Sequence, residues 1–198
     1  ERAAMAQRLA RATAARDALR RADSGADPHE EGAKAPHAGR QVEFARWLVD
    51  TFGLEALGRG RGVLDVAGGR GALAFELQCK HGVPCTLLDD QPAAGRLNAR
   101  QRKLLRKQAR QDPPHPNAGR PFGHVRALLS PSFEATAAGR SLLSECSVII
   151  GMHPDEATEA IVDAALKYGK PFAILPCCVF PSLFPERRLA PQPQPEPE

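Results

Sequence analysis

The stretch VLDVAGGRG at residues 63–71 decides the fold of this chain. Apolar residues flank Asp65 and predict a buried strand, a glycine-rich turn follows directly, and residues 72–77 (ALAFEL) predict a helix. A strand, a glycine turn and a helix in this order bring bare backbone close to a nucleotide-like ligand in α/β proteins. Glycine suits such a turn because it adopts backbone angles closed to other residues and leaves the ligand unobstructed. The alternative is an ordinary turn between a strand and a helix, since a single glycine-rich match is weak evidence.

The rest of the chain repeats this alternation of strand and helix. The predicted strands are residues 63–66, 85–88, 123–129, 147–152 and 172–175. The predicted helices are residues 41–57 with a break near Gly53, 72–77, 92–111, 135–143 (a short helix or an irregular segment) and 154–168. Strands that alternate with helices indicate a doubly wound α/β fold, with a mainly parallel sheet of about five strands and helices on both faces.

The chain of 198 residues suits one domain with a single core. Residues 1–40 read as an N-terminal extension, in which an Ala- and Arg-rich helix or frayed end precedes a polar linker. Residues 41–189 carry the α/β pattern, and residues 190–198 form a Pro-rich tail that is extended or disordered. Because the chain begins with Glu1, we expect a processed or internal piece of a longer protein.

Composition argues against membrane, disulfide and metal chemistry. No apolar run approaches the roughly 20 residues of a membrane helix. The five cysteines are an odd number and include two adjacent ones, which favours a reducing, intracellular compartment. Cys79, His81 and Cys85 lie close in sequence, but their spacing matches no paired C-x-x-C pattern, so no metal site is predicted.

An acidic pair, Asp89 and Asp90, follows the second predicted strand, about 20 residues after the glycine turn. At this separation, a carboxylate at the end of the second strand meets the ribose in dinucleotide-binding and related folds. An ionised carboxylate suits this role because it only accepts hydrogen bonds and ribose hydroxyls donate them. A solvated acid at a strand end is the alternative, but the coincidence with the glycine turn favours ribose binding.

A basic run follows, with seven basic residues and no acid between Arg96 and Arg110. Such a cationic helix face would hold the phosphates of a nucleic acid. A solvated helix surface is the simpler interpretation, because no aromatic residues are interleaved with the cations. The residues predicted to share one face of the helix at 92–111, and so to form an RNA contact, are Arg96, Arg100, Lys103, Lys107 and Arg110.

Residues able to bind a ligand follow four of the five predicted strands. They are the glycine turn, the acidic pair, His153 after the fourth strand and Cys177-Cys178 after the fifth. Because the carboxyl ends of parallel strands lie at one edge of a sheet, where doubly wound folds bind their ligands, we expect these residues to surround one site.

Residues 65–71 (DVAGGRG) resemble the acid-x-Gly-x-Gly-x-Gly motif of class I S-adenosylmethionine-dependent methyltransferases, with Ala67 in place of the first glycine. Gly151-Met152-His153 and the PCC of residues 176–178 resemble the Gly-x-His and Pro-Cys-Cys segments of one branch of that superfamily. This branch includes uncharacterised eukaryotic methyltransferase-like proteins and tRNA acceptor-stem ribose methyltransferases. The similarity covers residues 41–188 and implies a Rossmann-like fold.

The resemblance implies methyl transfer with S-adenosylmethionine as the cofactor. It places Asp65 and the turn at the methionine end of the cofactor, Asp89 at its ribose with Asp90 as the alternative, and His153 facing cofactor and acceptor as the candidate catalytic residue. Cys177 and Cys178 would line the acceptor pocket or simply pack as small buried thiols. The implied cofactor-binding residues are Asp65, Ala67, Gly68, Gly69, Gly71, Asp89, Asp90 and Gly151.

Two departures from the family pattern leave other functions open. Class I domains continue past strand five with a helix and an antiparallel hairpin, so we expect a sheet that lacks this hairpin or is completed by another protein. The third predicted strand also ends without an acid that would contact adenine. A non-catalytic methyltransferase-like binding or scaffold subunit is therefore the alternative function. A nicotinamide-dependent enzyme is a third possible function, but the segments after strands four and five argue against it.

Overall fold

The computed structural model describes residues 39–110 and 121–176, which fall within one compact unit. Their helices are α1 (Arg40–Phe52), α2 (Leu54–Leu57), α3 (Ala72–His81), α4 (Ala99–Gln108), α5 (Pro131–Glu134), α6 (Ala137–Glu145) and α7 (Thr158–Tyr168). Their strands are β1 (Val63–Val66), β2 (Cys85–Leu88), β3 (Gly123–Val125), β4 (Ile149–Met152) and β5 (Phe172–Leu175). A 3₁₀ turn, Asp155–Ala157, leads into α7.

The five strands form a single sheet in the order β3-β2-β1-β4-β5, and every neighbouring pair is parallel. Strand β1 is therefore central and pairs with β2 on one side and with β4 on the other. The register places Asp65 opposite Leu87 of β2 and Ile150 of β4. Parallel strands need crossover connections, and the intervening helices supply them.

Successive side chains of β1 point to opposite faces of the sheet, which divides the core into two layers. On one face Val63 packs with residues of α1 and α3. On the other face Leu64 and Val66 pack with α5, α6 and α7. Helices thus cover both faces, and the predicted Rossmann-like doubly wound α/β fold is confirmed.

Helix α4 lies on the outside of α3. Its Leu105 packs against Phe75 and Cys79 of that helix. Gln108 is also buried, and its Nε2 donates a hydrogen bond to the carbonyl of Cys79 at 2.8 Å. These inward contacts fix which side of α4 faces the protein and leave its basic residues exposed.

The predicted boundaries of the basic helix are wrong. It is predicted over residues 92–111 but begins at Ala99, because Gly95 takes a left-handed backbone (φ +68°) and Asn98 caps the helix. The Asn98 side chain accepts from the amide of Gln101, whose own side chain accepts from the amide of Asn98. Arg96 and Arg110 therefore lie outside α4, and the predicted five-residue helical face is shortened.

Other boundaries also differ from the prediction: the helix predicted over residues 72–77 continues to His81, and the helix predicted over residues 154–168 begins at Thr158. The third strand ends at Val125 instead of continuing to residue 129, because its partner β2 ends opposite, at Leu88. The fourth strand begins at Ile149 instead of residue 147. The segment predicted over residues 135–143 is helical, but its helix, α6, begins at Ala137 and ends at Glu145, because the hydroxyl of Thr136 accepts from the amide of Gly139 and starts the helix.

The predicted break of the first helix near Gly53 is confirmed, since α1 ends at Phe52 and Gly53 has φ +77°. The predictions for the N-terminal extension, the Pro-rich tail and Cys177-Cys178 lie outside the described residues. Within residues 39–110 and 121–176, no helix is long and apolar enough to cross a membrane.

Candidate functional site

The strand order creates a crevice at the carboxyl ends of β1 and β4. From β1 the chain moves outwards through β2 to β3, and then returns to the other side of β1 to form β4 and β5. Doubly wound folds bind their ligands at such a switch point, because the two connections leave the sheet in opposite directions and open a gap. The glycine turn follows β1 and His153 follows β4, so both lie at this crevice.

Every second residue of the glycine turn has a left-handed backbone: φ is +55° at Ala67, +57° at Gly69 and +72° at Gly71. Hydrogen bonds that hold the turn include those from the amide of Gly71 to the carbonyl of Gly68 (2.9 Å) and from the amide of Gly95 to the carbonyl of Gly69 (3.0 Å). A Cβ added at Gly69 would have no atom within 4 Å. The turn is therefore fixed in shape and has open space next to Gly69.

Asp89 connects the end of β2 to the glycine turn. Its Oδ2 accepts from the amide of Gly69 and its Oδ1 from the amide of Gln91, both at 2.8 Å. The residue is only 5% exposed. An ionised carboxylate has about four lone-pair sites, so these two bonds leave acceptor capacity for a further donor. Asp90, by contrast, is exposed and accepts a bond from the Gln91 side chain at 3.2 Å.

Asp65 lies beneath the turn, and its side chain is fully buried. A Cβ on Gly68 would be 2.4 Å from Asp65 Oδ2, so only glycine fits above the carboxyl group. In the part of the chain that the structure describes, neither carboxyl oxygen has a hydrogen-bond partner of ordinary geometry. Burial raises the pKa of Asp65 to about 7; the backbone amide of Ala74 in α3 lowers it, and the charge of Asp89 raises it further. Asp65 therefore exchanges a proton near neutral pH and contacts the turn from below.

His153 combines a strained backbone with an unsatisfied side chain. Its φ of +56° is in the left-handed region, which is uncommon for residues other than glycine. Its amide donates to the carbonyl of Leu175 at 2.8 Å, which ties it to the end of β5. Both ring nitrogens are buried, and neither has a hydrogen-bond partner within residues 39–110 and 121–176. Strain and unpaired buried polar atoms each cost about 1–3 kcal/mol, and they concentrate at functional sites.

Gly151 has a structural reason to be glycine. A Cβ at this position would be 2.6 Å from Cδ1 of Ile161 in α7 and 2.9 Å from Cβ of Pro154. Its cofactor-binding role stays a prediction, because the close packing of β4 against α7 already accounts for the residue type. The same packing fixes the position of the chain on either side of His153.

Two features of the site were not anticipated from the sequence. Gly95 fastens the segment after β2 to the turn, and its only sequence signal is a glycine in a predicted helix. Phe122 packs against Gly71, where a Cβ would be 2.3 Å from the ring atom Cζ, and so covers the start of α3. Neither residue belongs to a motif, and an apolar residue after a proline-rich loop carries no signal of its partner.

The buried thiols of the described residues are packing groups. Burial raises the pKa of Cys79 to about 11, with the charge of Glu76 adding to the rise, and raises the pKa of Cys85 well above its usual value. Both thiols stay protonated and are poor nucleophiles and poor metal ligands in that form. In the part of the chain that the structure describes, no three His, Cys, Asp or Glu residues are grouped to hold a metal ion.

No family model, curated protein or solved structure matches this chain. Because doubly wound folds carry many unrelated functions, the function has to be argued from the site itself.

Proposed function

We propose that the protein binds S-adenosylmethionine at the crevice between β1 and β4 and transfers its methyl group to an acceptor. The observation that carries the proposal is His153, which follows β4 with its backbone at φ +56° and whose two buried ring nitrogens have no hydrogen-bond partner among the described residues. A protein gains nothing in stability from this arrangement. A ligand group that pairs with the imidazole would account for it.

The residues around the crevice fit a nucleoside with a zwitterionic amino-acid end. The open backbone at Gly69 would approach the methionine end of the cofactor, and the spare acceptor capacity of Asp89 would take the ribose hydroxyls. Asp65 would act through the turn, since its carboxyl group lies under Gly68. Asp90 is the weaker candidate for the ribose, because it is exposed and its hydrogen bond comes from the Gln91 side chain and not from the glycine turn.

When bound, S-adenosylmethionine supplies an activated methyl group, so the protein contributes mainly alignment. The fixed turn and the rigid segment after β4 hold the two sides of the crevice, which is what alignment requires. His153 would take the proton of an acceptor hydroxyl or amine at a ring nitrogen, because neither nitrogen is engaged elsewhere. Cys177 and Cys178 remain predicted acceptor-pocket residues, and RNA remains the favoured acceptor on the strength of the exposed basic residues near the turn.

Calorimetric titration of the full chain with S-adenosylmethionine tests the cofactor. Gly69→Ala should weaken binding at least tenfold, because the added methyl group enters the open space next to the turn. Gly169→Ala is a matched control: Gly169 also has a left-handed backbone (φ +62°) and no atom within 4 Å of an added Cβ, but it ends α7. Both variants carry the same backbone strain of about 1–2 kcal/mol. Equal affinities in the two variants, or no binding to the wild type, would refute the proposal.

A methylation assay distinguishes the scaffold alternative from an enzyme. A protein that binds the cofactor but methylates nothing in a complex RNA pool, with or without His153, would be a cofactor-binding module. Methyl incorporation that is lost in His153→Asn while cofactor affinity is kept would establish turnover. NADH that binds more tightly than S-adenosylmethionine would instead support the nicotinamide alternative.

A further inference from the structure

A line of exposed cations begins inside the glycine turn. Arg70 stands between Gly69 and Gly71, both in left-handed backbone, and its side chain is exposed. The amide of Gly95 donates a hydrogen bond to the carbonyl of Gly69. The residues that follow these two glycines, Arg96 and Arg70, therefore start from adjacent points of the two backbone segments. The turn that would hold the cofactor is thus also the start of a basic surface.

Helix α4 carries further exposed cations. Arg100, Lys103 and Lys107 are exposed and extend over about 10 Å of the helix axis. No acid occurs between residues 91 and 110, and none of these three cations forms an ion pair with another described residue. Like charges three and four residues apart destabilise a helix by about 0.2–0.5 kcal/mol per pair. The inward contacts of Leu105 and Gln108 offset this cost, so the charges are not there to stabilise the helix.

We propose that Arg70, Arg96, Arg100, Lys103 and Lys107 form one phosphate-binding surface, here called the basic track, which binds the backbone of an RNA strand and leads it to the crevice. Arg70 is the positioning residue of the track, because it is exposed and stands in the glycine turn itself, between Gly69 and Gly71. A planar guanidinium also suits bidentate phosphate contacts. The proposal rests on the proposed function for the identity of the crevice, but the binding test below does not.

The salt dependence of RNA binding measures the track directly. Each phosphate contact to a single strand contributes about −0.7 to the slope of log K against log salt, so five contacts give about −3.5. Binding of a fluorescent 20-nucleotide RNA to the full chain should then weaken about 100-fold between 50 and 200 mM salt. Arg70→Gln should reduce the slope to about −2.8, and the triple variant Arg100→Gln, Lys103→Gln, Lys107→Gln to about −1.4.

Arg46→Gln is the matched control, since Arg46 is an exposed helical arginine that pairs with Glu43 on α1. Its slope should equal that of the wild type. Glutamine keeps the helix propensity of lysine and arginine, and circular dichroism verifies that each variant folds. A slope near zero in the wild type, or equal slopes in Arg70→Gln and Arg46→Gln, would overturn the basic track. DNA of the same sequence that binds equally well would overturn its assignment to RNA.

Measuring S-adenosylmethionine affinity in the same variants separates the two proposals. Cofactor binding without salt-dependent RNA binding refutes the track alone. RNA binding with the expected slopes and no cofactor binding supports the track and refutes the proposed methyl transfer.

Discussion

Replacing Asp65 by Asn should change how the stability of the protein depends on pH. The carboxyl group is fully buried in β1, has no partner of ordinary geometry and has a pKa raised from 3.8 to about 7 by burial. The folded state therefore binds the proton more tightly than the unfolded state. The resulting stabilisation is complete below pH 3.8 and is lost as the pH rises through about 7.

The size of the effect follows from the two pKa values. At about 1.4 kcal/mol per pH unit, the interval from 3.8 to about 7 corresponds to about 4 kcal/mol in total. Between pH 4.5 and 7.5 about 3 kcal/mol of this is lost. Asparagine has nearly the same shape and carries no proton, so the variant lacks this loss. Relative to the wild type, Asp65→Asn should gain about 3 kcal/mol across that range.

Urea unfolding of both proteins at half-unit pH intervals, followed by circular dichroism, measures the difference in the free energy of unfolding. Using the difference removes the contributions of all other titrating groups, which both proteins share. If the difference in the free energy of unfolding stays constant within about 0.5 kcal/mol from pH 4.5 to 7.5, the interpretation of Asp65 as a proton-binding group is refuted. This margin is about the usual effect of a neutral surface substitution. A difference that grows with pH in favour of the wild type would mean that folding lowers the pKa of Asp65 instead of raising it.

Three further substitutions test the crevice. Gly151→Ala should destabilise the fold by about 1–3 kcal/mol, because the methyl group would overlap Ile161, and an unchanged melting temperature would contradict this packing. His153→Asn should lower methyl transfer about 10²–10⁴-fold while the melting temperature stays equal or rises, since Asn tolerates the left-handed backbone and the unpaired ring is removed; a lower melting temperature would show a structural role instead. Ala67→Gly should stabilise the protein by about 0.5–1 kcal/mol, because relief of strain at φ +55° exceeds the entropy cost of glycine, and a lower urea midpoint would show that the strain is absent.

The sequence predicted the fold well where local signals were strong. Strands β1, β2 and β5 match their predicted bounds, because each is a short apolar run closed by turn residues. The start of α4 was missed although its signal is present: Asn98 followed three residues later by Gln101 is a capping box. The basic composition of residues 96–110 suggested one long helix and hid this boundary.

For the site, the spacing of residues along the chain predicted which of them lie near one another, but not which of their atoms form hydrogen bonds. The separation of 20 residues correctly brought Asp89 to Gly69. The sequence does not show that the Asp89 carboxylate accepts from the Gly69 amide or that Asp65 lies under Gly68. Both contacts depend on the register of β1 against β2 and on side-chain conformation. The left-handed backbone of His153 could not be predicted either, because only a small fraction of histidines adopt that conformation.

The bond between Asp89 and Gly69 also bears on which ligands the turn accepts. In sites for pyrophosphate, turn amides and the first turn of the following helix face the anion. In this protein the Gly69 amide is already occupied by a carboxylate, and a second acidic side chain lies directly below. A phosphate that binds this amide would have to displace the Asp89 carboxylate. The Gly69 amide is thus closed to a phosphate for as long as Asp89 holds it, and a ligand that leaves this bond intact meets the open side of Gly69, where no described atom lies within 4 Å of an added Cβ.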